Sequence, residues 1–81
     1  MKAIEFIAEV LMIKDMSKIN LDSSLVKDLR ADELDLIEIV MKFEDVYEIE
    51  ISDEEWEKCF TIEHVLKLLA SKGVSTEFVA F

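Results

Sequence analysis

Few residues in this sequence have the chemistry of a nucleophile or a metal ligand. Cys59 is its sole cysteine and His64 its sole histidine. Five positions apart, they raise the idea of a thiol nucleophile with an imidazole base. That chemistry also needs an orienting third group and a place for the developing oxyanion, and no segment supplies either. The expectation is a small buried Cys59, a surface His64 and no enzyme. Zinc wants about four ligands, drawn largely from Cys and His, so no zinc site is expected. Asp53, Glu54, Glu55 and Glu57 cluster carboxylates, yet they lack the loop glycine and spacing of an EF-hand. Ser23 and Ser24 follow Asp22 in a polar stretch, where serine ordinarily caps turns.

The dominant chemical feature is charge. Nineteen Asp and Glu face 9 Lys and Arg, a net charge of -10. Such a chain is repelled by nucleic acids and by anionic membranes. At 52% hydrophobic residues it is too apolar for a disordered acidic tail, and its 81 residues suffice for one core. One cysteine allows no internal disulfide. No apolar run reaches the ~18 residues of a membrane span, and Glu5 and Glu9 interrupt any signal-like start. These features predict a soluble cytoplasmic protein, kept monomeric by self-repulsion.

The elements that must position these groups are helical. Glycine occurs once and proline never, which disfavours tight hairpins. Ile4, Ile7 and Leu11 predict a first helix from Lys2 to Ile13. A long connection from Lys14 to Ala31 follows, pinned by Leu21, Leu25 and Leu29, with a helical turn near Ser24 to Leu29. Asp32 suits an N-cap, and Glu33 and Asp35 place negative charge at the positive end of a second helix that ends near Tyr47. Leu34, Ile37, Val40 and Met41 form its apolar stripe; Asp35, Glu38, Lys42 and Asp45 form a polar one. Tyr47 to Ile51 alternates with period two and reads as an extended connection. Ser52-Asp53-Glu54-Glu55 is a capping box for a short third helix. Thr61 caps a fourth, carried by Ile62, Val65, Leu66 and Leu69, with Gly73 at its C-terminal end. The expected fold is an all-α four-helix bundle over residues 1–72, three main helices and a short one, with a tail over 73–81.

The run Asp28-Leu29-Arg30-Ala31-Asp32-Glu33-Leu34-Asp35, the acidic helix behind it and the acidic start at Ser52-Asp53-Glu54-Glu55 resemble the acyl carrier proteins of fatty-acid and polyketide synthesis. The resemblance covers roughly Lys2 to Lys72. It implies a four-helix bundle whose acidic second helix docks on basic patches of carrier-recognising enzymes. It also implies a 4′-phosphopantetheine arm on the serine of an Asp-Ser-Leu motif. The docking residues carried over are Asp32, Leu34, Asp35, Leu36, Glu38, Met41, Glu44 and Asp45.

The position of that serine holds Glu33. A carboxylate is a poor nucleophile toward the pyrophosphate of coenzyme A, so Glu33 is expected to stay unmodified and no cofactor is expected. Glu33 then reads as a permanent anion where the family has a phosphodiester, or as drift after the carrier role was lost. The alternative is a working carrier, altered at position 33 or with its arm on another serine. Arg30 stands where the family usually has Gly, Ser52 where it has Pro, and Trp56 where it has a small residue near the acyl pocket. Arg30 is placed to reach Glu33 three residues on.

Overall fold

A computed structural model describes residues 2–74. Its elements are α1 (Ala3–Leu11), a 3-10 turn (Met16–Lys18), α2 (Glu33–Tyr47), α3 (Asp53–Glu57) and α4 (Ile62–Ser71). Among the described residues no strand forms; Ser24 and Thr61 make an isolated antiparallel bridge. The helical bundle expected from the sequence is the observed fold.

The helix ends follow their caps. Helix α1 stops two residues before the expected Ile13, because Met12 turns left-handed at φ 59° and the Ile13 N–H closes onto the Ala8 carbonyl at 2.8 Å. At the start of α2 the Asp32 carboxylate accepts from the Asp35 N–H at 2.8 Å, and the Asp35 carboxylate accepts from the Asp32 N–H at 3.1 Å. Two orphan amides of the first turn are thereby satisfied. Ser52 and Glu55 form the same reciprocal pair for α3. Gly73 takes φ +87°, and the Val74 N–H reaches the Leu69 carbonyl at 3.0 Å, a Schellman closure of α4. Gly73 therefore closes α4 at the position the sequence leads one to expect. Phe78, Val79 and Phe81 lie outside the described residues.

The core is built from Ile4, Phe6 and Ile7 of α1, Ile39 and Phe43 of α2, and Ile62, Val65, Leu66 and Leu69 of α4. Tyr47 joins α1 to α2 by its edge-on contact with Phe6 (6.2 Å between ring centroids) and its tilted contact with Phe43 (5.9 Å). The expected apolar stripe of α2 is corrected here. Leu34 is 68% exposed, Met41 61% and Ile37 49%, so three of its four residues face solvent. The inward face is Leu36, Ile39, Val40, Phe43 and Tyr47, which recur at helical spacing and carry more apolar bulk.

The long connection is fastened twice. Ile19 and Leu25 are buried, and Leu21 and Leu29 pack against the core. Its backbone also serves the start of α4. The Ser23 carbonyl accepts from the Ile62 N–H at 3.1 Å and the Leu21 carbonyl from the Glu63 N–H at 2.9 Å, while the Leu25 N–H donates to Phe60 at 2.9 Å. The turn expected near Ser24 to Leu29 forms, with the Asp28 and Leu29 N–H groups both 3.0 Å from the Ser24 carbonyl. The 3-10 turn had no apolar period to announce it; it is held by the Asp15 carboxylate, which accepts from the Ser17 N–H at 3.0 Å.

Candidate functional site

Helix α2 carries its charge and its exposed apolar groups on the outside of the bundle. Glu33 is its first residue and is exposed, the least costly state for a carboxylate that also profits from the helix dipole. Among the described residues neither Glu33 nor Arg30 takes part in an ion pair, so the expected contact between them is not made. Arg30 adopts φ 60°, the left-handed region where a side chain costs about 1 kcal/mol and Gly costs little. That geometry gives a physical reason for a Gly at this point.

Glu33 helps to line an open groove of ≈ 250 Å³ between α2 and α3. Ile37, Val40 and Met41 line it from α2, Ile51 from the connection, and Asp53 and Trp56 from α3. Trp56 is half-buried and forms a wall; it leaves the groove open. This volume lies below the usual range of small-molecule sites, about 300–1,000 Å³, and suits an apolar side chain offered by another surface. A second, wider groove of ≈ 580 Å³ runs between α1 and α2 past Glu9, Glu38 and Asp45. Met41 borders both grooves.

The remaining expected docking residues divide by what they touch. Glu38 and Asp45 are exposed, and none of the described hydrogen bonds or ion pairs uses them. Asp32 and Asp35 spend carboxylate oxygens on the cap. Leu36 packs against the core. Glu44 turns inward, its carboxylate accepting from the Ile51 N–H at 3.0 Å, and so fixes the connection that borders the groove. Lys42 reaches Glu9 of α1 at 3.6 Å and lies 5.7 Å from the centre of the Phe6 ring.

Cys59 and His64 line one open pocket, but their hydrogen bonds are not those of a nucleophile and its base. His64 Nδ1 accepts from the Phe60 N–H at 3.0 Å and the Thr61 N–H at 3.3 Å, so that lone pair is already used in capping α4. This role was not read from the sequence, where the signal was a polar residue three positions after the Thr61 cap. The Cys59 thiol points to the Glu55 carbonyl at 3.7 Å. Partial burial and the Glu55 charge both raise its pKa, opposing a reactive thiolate. Cys59 is half-buried rather than fully buried. Ser23 is 5% exposed and its hydroxyl oxygen accepts from the Asn20 N–H at 2.9 Å; that of Ser24 accepts from the Lys27 N–H at 3.0 Å. Among the described residues no group of His, Cys, Asp and Glu could hold a metal, and no helix is long and apolar enough to cross a membrane.

A small helical bundle with an acidic second helix beginning beside an apolar groove defines a carrier-type domain. Residues 2–69 match the family described as phosphopantetheine attachment site. The chain is 39% identical to an acyl carrier protein of Petrotoga mobilis over 71 residues, covering 88% of this chain and 82% of that one. It is 42% identical to one of Rickettsia massiliae, covering 88% and 81%. Among solved structures it is similar to a protein assigned as an acyl carrier protein of Mycobacterium tuberculosis, with a TM-score of 0.79 at 26% identity, covering 85% of this chain and 90% of that one. The chain belongs to the acyl carrier protein family, whose members are carriers and not enzymes.

Proposed function

We propose that this chain is an acyl-carrier-like module of fatty-acid or polyketide synthesis that works without an arm. It docks through α2 onto basic patches of carrier-recognising proteins in the cytoplasm, as a monomer. The observation that carries the reading is Glu33: an exposed carboxylate at the first position of α2 and on the lining of the groove, where the resemblance puts the hydroxyl that holds phosphopantetheine. At that point the chain presents a fixed negative charge in place of a phosphodiester. Glu38 and Asp45 supply exposed charge that steers a basic partner, and Leu34, Ile37 and Met41 supply apolar contact. Ser23 and Ser24, with engaged hydroxyls, offer no ready substitute for the missing serine.

Incubation with coenzyme A and a phosphopantetheinyl transferase tests this, with intact mass as the readout. The expected result is an unchanged mass for this chain while a standard carrier in the same tube gains the arm. Gain of the arm by this chain would establish a working carrier instead.

A further inference from the structure

Among the described residues the sole arginine of this very acidic chain takes part in no ion pair. Of the carboxylates near it in sequence, Glu33 stands exposed and outside the described ion pairs, and the others are engaged with backbone amides. Asp28 accepts from the Ser24 N–H at 2.7 Å, and Asp32 and Asp35 cap each other's amides. The backbone that carries Arg30 is held on both sides. Leu29 packs on the core and its N–H meets the Ser24 carbonyl at 3.0 Å. Ala31 is 4% exposed, and its N–H meets the Leu25 carbonyl at 2.9 Å. Between them Arg30 is exposed and left-handed at φ 60°, two residues ahead of the cap of α2. A guanidinium mounted on a fixed turn, with its donors unspent, matches a carboxylate in two-point geometry. Against a uniformly basic surface it is a like charge, and like charges across an interface discriminate between partners.

We propose that Arg30 is a specificity-determining residue of the α2 docking face. It turns away surfaces that are basic throughout and admits a basic surface bearing one carboxylate opposite the guanidinium. The inference rests on the docking reading above and names the charge pattern of the partner.

The test uses a synthetic lysine-rich amphipathic helical peptide as probe, titrated at low ionic strength and followed by NMR. Arg30→Gln is expected to tighten binding about threefold, the scale of one exposed charge contact. Arg30→Lys keeps the charge and should leave binding of this probe unchanged. Lys18→Gln alters net charge by the same amount from the first connection and should do less than Arg30→Gln. In a peptide set with each lysine replaced in turn by glutamate, one register should bind the parent better than the Arg30→Gln variant. An Arg30→Gln effect no larger than that of Lys18→Gln overturns the proposal, as does the absence of any such register. If neither the parent nor the variants bind any probe, the docking reading itself fails, and this one with it.

Discussion

Glu55 accepts two short hydrogen bonds from the Lys72 ammonium, at 2.9 and 2.8 Å, and so ties the cap of the five-residue α3 to the end of α4. The same carboxylate accepts from the Ser52 N–H at 3.0 Å. Lys72 first, and the Ser52 N–H second, hold the Glu55 carboxyl down from 4.5 to about 2. A carboxylate depressed in the folded state contributes stability that is fully present above its unfolded value and is lost as pH falls through its folded value. The window here runs from about 4.5 down to about 2. Urea unfolding across that window should show a steeper loss of stability for the parent than for Lys72→Met. Acid also relieves repulsion among the other carboxylates, but it does so in both proteins, so the difference in slope isolates the pair. Parallel lines would mean that the pair contributes nothing in solution.

Glu48 caps α2 in a left-handed conformation, φ 54°, and places a negative charge at the negative end of the helix dipole. Both features oppose stability. Glu48→Gly should stabilise the protein by about 1 kcal/mol, after allowing for the greater entropy of the unfolded chain. A rise in thermal midpoint checks it; Glu48→Val, β-branched at positive φ, should lower the midpoint.

Leu25 and Val26 are neighbours in the connection with opposite surroundings, 1% and 56% exposed. Leu25→Ala should cost about 2–4 kcal/mol, as for a helix residue of the core. Val26→Ala should stay within about 0.5 kcal/mol. Comparable costs for the two would contradict a connection pinned by Leu25.

His64→Ala removes the acceptor for the Phe60 and Thr61 amides and should cost about 1 kcal/mol in denaturant unfolding. Cys59, half-buried with its pKa raised, should react with a thiol reagent slowly at neutral pH, both in the parent and in His64→Ala. A marked slowing in the variant would restore the idea of a Cys–His pair.

Much of this architecture was legible from residue types. Asp32, Ser52 and Thr61 announce helix starts because few other side chains can accept from a first-turn amide, and each does so at the expected place. Gly73 likewise marks the end of α4. The inner face of α2 was misread because Leu34, Ile37 and Met41 are as apolar as the residues that are buried. Hydropathy alone does not say which of two apolar stripes meets a neighbouring helix. His64 is on the surface as expected, but its capping role and the inward turn of Glu44 were not legible, since a side chain that serves a backbone amide leaves no periodic trace. The end of α1 at Met12 was invisible for a related reason: positive φ is signalled by glycine, and that position has none; at Arg30 the sole hint was the Gly that the family usually has there.

The carbonyls of Leu21 and Ser23 that receive the first amides of α4 lie about forty residues from their donors in the chain. Breaking that contact detaches the start of α4 from the first connection and exposes the fully buried Ile62. The amides of Ile62 and Glu63 should therefore exchange with deuterium only through global unfolding, although the opening amides of a helix ordinarily exchange among the fastest. The far end of the first connection then acts as a clasp that holds α4 to the rest of the bundle.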